Sequence, residues 1–366
     1  MPEFIKGLTL SEMYYHEIVR PILEAEYPAL RYSAALIGWG SDVLGYDDSE
    51  SADHMWGLRL YLFLSEEDRG RYNISETLSR KLPYEFRGYP TNFAPTGHGE
   101  LLMMKAINSG PVNHLIYCET LKSFFHTNLG FDPDKELKTE DWLSFYEHRL
   151  LTVTAGKVFH DGLGTLEPAR RKFSYYPDEI WRYLLSRQWK AIGDEEDLMG
   201  RCGYVGDELG SMVITARLIK NMMKLCFLME RRYAPYRKWL GTGFSRLRCG
   251  PELSPLLQQA LLASSWKQRE EILCRIYEII ARLHNALAIT ELLDENIRAP
   301  RDHNRPYKVI DGGRFSDAIR RTLTSEEFAR IDDSWGFKGG SINQLIESDH
   351  DLAYTKFCEK FKCLYR

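Results

Sequence analysis

Residues 32–64, YSAALIGWGSDVLGYDDSESADHMWGLRLYLFL, decide how this chain folds. Tyr32–Ile37 is an apolar run that stops at Gly38, as a buried strand does. Gly57–Leu64 is a second run, alternating after Leu58. The segment between them is rich in Gly, Ser and Asp and reads as a loop. The unit is therefore strand, Gly40-Ser41 turn, Asp53, strand. A Gly-Ser turn lets backbone N–H groups and a hydroxyl approach an anion closely. A carboxylate at the entrance of the second strand suits a hard cation such as Mg²⁺. Together they fit a triphosphate held by metal, with Gly40 and Ser41 on the phosphates and Asp53 on the ion.

Working outward, Thr9–Glu26 reads as one helix and a helix opens at Glu66 and reaches Leu82. Asn113–Cys118 and Gly156–Asp161 are further strand candidates, and Glu119–Leu129 and Thr139–Leu151 helix candidates. After Pro177 helices dominate: Asp178–Ile192, Asp207–Tyr233 with Asp207 as cap, Glu252–Ser264 and Lys267–Leu293. Tyr307–Ile310 reads as a short strand in a mixed final segment. The change of character divides the chain into residues 1–172 and 173–366. The fold class is α+β, a small mixed sheet followed by a mainly helical domain.

The 366 residues are enough for two domains with sizeable cores. A formal charge of -4 disfavours nucleic acid as a bulk partner without excluding a local basic stripe. The seven cysteines are odd in number and scattered, with no CxxC, which reads as reduced cytoplasmic thiols. No basic and apolar leader opens the chain, and no apolar run reaches the roughly 18 residues of a membrane span. HExxH and GxxxxGK[ST] are absent, and Gly38-x-Gly40 lacks the third glycine of a dinucleotide fingerprint. Composition says nothing of the oligomeric state.

The Gly40-Ser41 to Asp53 spacing resembles the nucleotidyltransferase superfamily typified by DNA polymerase beta and the aminoglycoside nucleotidyltransferases. Their pattern is Gly-Gly/Ser, a gap of nine to thirteen residues, then Asp-x-Asp/Glu. Residues 38–64 with FHDGLGTL, GRCGYVGDELGS and YAPYRKWLGTGF also resemble a bacterial family of unknown function. That family joins a nucleotidyltransferase-like N-terminal domain to a helical one. Its loop ends Asp-His-Asp-Trp-Gly, whereas this chain reads Asp53-His54-Met55-Trp56-Gly57. A thioether is a poor ligand for Mg²⁺, so the second metal carboxylate is missing from its usual place.

The resemblance implies transfer of a nucleoside monophosphate from an NTP to a small-molecule or protein hydroxyl, with Mg²⁺ as cofactor. The partners would be a nucleotide and an unidentified acceptor. The alternative is a catalytically impaired nucleotide or small-molecule binding module of the same fold. Candidates for the missing ligand are Asp47, Asp48, Glu119 and Asp161; each also reads as a turn former, a helix-end acid or a turn cap. His54 and His160 are either functional or bonded to backbone. Arg217, Lys220, Lys224 and Arg231 share a face of the Asp207–Tyr233 helix, with Met212 and Val213 among the opposite apolar positions. That stripe is either a triphosphate clamp or a solvated face. Arg201, Asp207 and Ser211 lie in a Gly-rich stretch opening the same helix, which suits an anion or a plain capped loop. Tyr233, Tyr236, Lys238 and Trp239 form either a base-stacking wall or domain packing.

Overall fold

The protein is described from a computed structural model, in which residues 3–97, 101–300, 305–333 and 340–365 are placed. The chain is α+β and divides into two compact units. The N-terminal unit takes residues 1–136 and 148–174, and the helical unit takes 137–147 and 175–366.

In the N-terminal unit α1 (Gly7–Tyr14) and α2 (Arg20–Glu26) are joined by a π-turn, Tyr15–Val19. The single helix expected over Thr9–Glu26 is thus loosened in its middle. Pro21, at the start of α2, has no N–H to donate back one turn, and the ladder there widens. β1 (Ser33–Leu36) leads through α3 (Ser41–Leu44) to β2 (Arg59–Leu64). α4 (Ile74–Lys81) follows, shorter than expected, because Ser65 and Asp68 close a side-chain turn ahead of Gly70. β3 (Glu85–Phe86) pairs with β4 (Tyr89–Pro90), and β5 (Phe93–Pro95) with β6 (Leu102–Met104).

β7 (Leu115–Thr120) then runs parallel to β2 and enters α5 (Leu121–Leu129), capped by the Thr120 hydroxyl. α6 (Thr139–Ser144) and α7 (Glu147–Thr154) replace one expected helix. The Asn343 amide binds the Phe145 carbonyl and accepts from the Glu147 N–H, replacing bonds a continuous helix would make. β8 (Lys157–Asp161) and α8 (Leu166–Lys172) finish the unit.

The sheet order is β7-β2-β1-β8, with β1 antiparallel to both neighbours. β2 is central and buried along its whole length. Its even-numbered leucines, Leu60, Leu62 and Leu64, meet Leu10, Tyr14, Tyr15 and Val19 in one core. On its other face Tyr61 and Phe63 pack edge-on against Phe124 of α5, at 5.0 and 5.4 Å between ring centroids.

The helical unit contains α6, α9 (Asp178–Gly193), α10 (Glu196–Tyr204), α11 (Glu208–Met229), α12 (Leu240–Ser245), α13 (Gly250–Leu262) and α14 (Trp266–Ala286). After a lone bridge between Arg298 and Val309, where a short strand was expected, come α15 (Gly312–Arg320) and α16 (Glu326–Asp333). Three short helices end it, α17 (Ile342–Leu345), α18 (Asp349–Leu352) and α19 (Thr355–Lys360). Asp207 caps α11 as expected, its carboxylate accepting the Gly210 N–H at 2.7 Å. Among the described residues no helix is long and apolar enough to cross a membrane.

The core of this unit holds a titrating group. His284 on α14 is fully buried, and its Nδ1 accepts the Trp189 indole N–H at 3.2 Å. Nε2 therefore carries the proton and donates to the Thr290 hydroxyl. Burial pushes the imidazole pKa down to about 4. The unfolded chain takes a proton below about pH 6.5, while the folded unit refuses it until about pH 4. The contribution of His284 is thus complete above pH 6.5 and is lost as pH falls toward 4, by about 3 kcal/mol. Unfolding followed between pH 7 and 4 is expected to show this slope in the native chain. It is expected to be missing in His284→Gln, whose amide accepts the same indole bond without titrating.

Candidate functional site

The turn after β1 is built from two glycines at positive φ, Gly38 at 88° and Gly40 at 124°. A Cβ at Gly40 would lie 2.1 Å from the Arg59 Nη2 and 2.4 Å from an Asp42 carboxylate oxygen. Glycine is required here, and the group that approaches it is a guanidinium of the chain itself. Arg59, the first residue of β2, reaches back beneath the turn. Its Nη2 donates to Asp42 Oδ1 at 2.5 Å and to the Trp39 carbonyl at 2.7 Å, and its Nε to Asp42 Oδ2 at 3.2 Å. The guanidinium also lies 4.2 Å from the centre of the Trp39 ring. Both charged side chains are fully buried. The Asp42 carboxylate further accepts the N–H groups of Val43 and Gly57. Asp42, directly after the turn, is thus an anion that the chain itself supplies to the Arg59 guanidinium and to the N–H groups of Val43 and Gly57.

The other loop aspartates each have a different setting. Asp47 is buried, accepts the Gly7 N–H at 2.7 Å and the Trp56 indole at 3.0 Å, and pairs with Lys6. Asp48 closes a turn on Ser51. Asp53 is exposed and lies 2.9 Å from His54 Nδ1. Slight burial works against its ionisation, but the His54 bond and charge outweigh it and keep the carboxyl below its ordinary value. It precedes β2 by six residues instead of standing at its mouth, because β2 begins at Arg59. Met55 takes a positive φ of 43°, bonds its N–H to the Leu102 carbonyl and packs against the apolar core. Ser41 is half-buried at the start of α3.

Glu119 and Asp161 lie on opposite edge strands. The register aligns Glu119, Phe63, Ser33 and Asp161 in one row across the four strands. Three strand spacings separate the two acids, about 14 Å, whereas ligands of one Mg²⁺ sit at about 2 Å from it. Glu119 and Asp161 do not share an ion. Burial raises the Glu119 carboxyl. Asp161 is partly buried, and bonds from the Ser33 hydroxyl and from the N–H groups of Gly164, Leu166 and Glu167 bring its carboxyl below the usual value. It thereby fastens the start of α8. His160 sits beside Tyr32 with burial lowering its pKa. Among the described residues no three His, Cys, Asp or Glu side chains form a group able to hold a metal ion.

The four basic positions expected on one face of α11 have partners. Arg217 pairs with Glu195, Lys220 with Glu347 at 2.9 Å, and Lys224 donates to the Asn343 carbonyl at 2.9 Å. Arg231 lies beyond the end of α11, where it pairs with Asp178 and covers the Trp181 ring. Ser211 is buried and accepts the Arg269 Nε–H at 3.1 Å, while Arg201 is exposed. Met212 and Val213, among the apolar positions opposite the basic ones, are exposed, because the buried stripe of α11 runs through Ser211, Thr215, Leu218 and Met222. Tyr233 is buried against Tyr175 and Tyr176, and Lys238 stands over Trp239.

Sequence reasoning missed Arg59. Its signal was one arginine inside an otherwise apolar six-residue strand, with an aspartate directly after the Gly-Ser pair.

No curated protein matches this chain. Among solved structures it is similar to a nucleotidyltransferase-like protein from Exiguobacterium sibiricum 255-15, with 11% identity over 82% of this chain and 81% of that one, at a TM-score of 0.31. Residues 142–240, from α6 to the start of α12, match the profile of a family described as a domain of unknown function (DUF4037).

Proposed function

We propose that the N-terminal unit is a nucleotide or small-molecule binding module of nucleotidyltransferase-like build, impaired in metal-dependent transfer. The observation that carries this reading is the Asp42–Arg59 pair under the Gly40-Ser41 turn. Transfer chemistry needs the turn's donors open to phosphate and two carboxylates within reach of one ion. Here Asp42 takes the N–H groups of Val43 and Gly57 and the Arg59 guanidinium, and a triphosphate at the turn would meet that carboxylate. The separation of Glu119 from Asp161 supports the same reading.

Binding is supported by what the turn leaves available. Trp39 is half-buried and Ser41 is half-buried beside it. Arg59 keeps one buried Nη1 without a hydrogen-bond partner. An aromatic ring backed by a cation, next to a hydroxyl, can stack a base and hold a polar substituent.

The test uses the full chain with each of the four ribonucleoside triphosphates. Calorimetry is run with Mg²⁺ and with EDTA, and label transfer from α-labelled NTPs into a cell extract is measured in parallel. The expected result is nucleotide binding that EDTA leaves unchanged, weakened in Trp39→Ala, with no label transferred. Metal-dependent transfer abolished by Asp53→Ala would overturn the reading, and the absence of binding to all four nucleotides would overturn its nucleotide form.

A further inference from the structure

α11 is apolar on two sides. One side, through Ser211, Thr215, Leu218 and Met222, is buried in the helical unit. The other begins in the turn that leads into the helix. Tyr204 and Val205 are 64 and 78% exposed there, and Leu209, Met212 and Val213 follow at 73, 47 and 53%. Five of the fifteen large apolar side chains exposed among the described residues thus fall within ten positions. Single apolar residues are ordinary on a surface, whereas a cluster of them marks a contact.

The spacing defines what covers this side. Leu209, Met212, Val213 and the exposed Ala216 recur at i, i+3, i+4 and i+7, which is one stripe along α11. Such a stripe is the seam of a second helix laid lengthwise, at a crossing near 20°. A helix apolar on both sides is one that is covered on both sides.

The seam is complementary to itself in the antiparallel sense. A two-fold axis between Met212 and Val213 lays Leu209 of one copy against the small Ala216 of the other, and Met212 against Val213. The charges follow the same symmetry. Asp207 and Glu208 stand at the head of the stripe and Arg217 at its far end. Antiparallel pairing sets each acidic head opposite the other copy's Arg217, whereas parallel pairing sets like charge beside like. Both groups keep bonding capacity for a partner. Arg217 spends Nε and Nη2 on Glu195, and its Nη1 makes no bond among the described contacts. Asp207 spends Oδ1 on the Gly210 N–H, and its exposed carboxylate has a second oxygen. The acidic head also argues against an anionic membrane, which surface helices meet with lysines and arginines beside their apolar face.

We propose that the exposed side of α11 is the interface of a two-fold homodimer in which the α11 helices of two copies pack antiparallel. The interface lies on the helical unit and is independent of the reading given to the Gly40-Ser41 turn.

Sedimentation velocity of the full chain, from low micromolar to near-millimolar concentration, is the test. The expected result is a shift from 42.6 kDa to twice that mass as concentration rises. Leu209→Glu and Val213→Glu, both at exposed positions, are each expected to raise the dimer dissociation constant at least tenfold. Arg217→Glu is expected to weaken the dimer as well, and Arg217→Lys much less. Met212→Cys, beside the axis, is expected to be joined to its copy by a short bismaleimide, beyond any product given by the native cysteines. Flotation with neutral and with anionic phospholipid vesicles is expected to leave the chain unbound. A chain that stays monomeric throughout would overturn the proposal. So would a dimer that both glutamate substitutions leave unchanged, or vesicle binding in place of dimerisation.

Discussion

Replacing Arg59 with methionine is expected to destabilise the N-terminal unit by about 3–5 kcal/mol. The guanidinium and the Asp42 carboxylate are both out of water, and each is the main counter-charge of the other. Methionine fills similar volume but leaves Asp42 ionised and buried. That is the expensive half of breaking a buried pair. It also removes the donor to the Trp39 carbonyl. Replacing both residues, as Asp42→Leu with Arg59→Met, is expected to recover most of the loss, because no unpaired charge remains. The double-mutant cycle isolates the coupling. Urea unfolding read through amide exchange of β1 and β2 measures it within the correct unit. Near-equal losses in the single and double variants would show that the pair is not what holds the turn.

Glu196→Ala is expected to cost the helical unit a similar amount, about 3–5 kcal/mol. The Glu196 carboxylate is buried at the start of α10 and accepts the N–H groups of Ile310, Asp311 and Gly312, at 2.8, 3.0 and 2.9 Å. These are the orphan donors at the head of α15. Asp311, in the N-cap position, makes no cap bond with its side chain and sits at a positive φ of 62°. A carboxylate from another helix therefore does the capping. Each buried donor left unsatisfied costs about 1–3 kcal/mol. α15 has little freedom to adjust, since a Cβ on Gly312 would lie 2.8 Å from the Trp189 carbonyl of α9. Glu196→Gln keeps one acceptor oxygen and is expected to lose about half as much. Faster amide exchange across residues 310–316 is the local readout.

Local elements were legible because their signals are local. The strand–Gly40-Ser41–strand order, the Asp207 cap and the long α11 follow from periodicity and capping chemistry. Failures came where a distant residue decided the outcome. The phase of Arg217, Lys220 and Lys224 on α11 is readable, but Glu195, Glu347 and the Asn343 carbonyl, which engage them, come from other elements. Glu119 and Asp161 look like companions in a list of acids. Sheet order, which no single sequence displays, puts β2 and β1 between them. Alternation along GLRLYLFL marks Arg59 as one face of a strand without saying that the face is buried. The break at Phe145 is set by Asn343, 198 residues away.

The excursion of residues 137–147 into the helical unit has a consequence for synthesis. The chain passes between its two units three times, so no single cut separates them. Trp142 and Leu143 of α6 are buried, and bonds to this segment come from Asn343, Asp349 and Lys362. On a ribosome adding about 5–20 residues per second, Glu147 emerges 196 residues before Asn343. For roughly 10–40 s the nascent chain carries an apolar segment inside its first unit whose bonds to Asn343, Asp349 and Lys362 only its last residues supply. That interval is when a chaperone has most to protect.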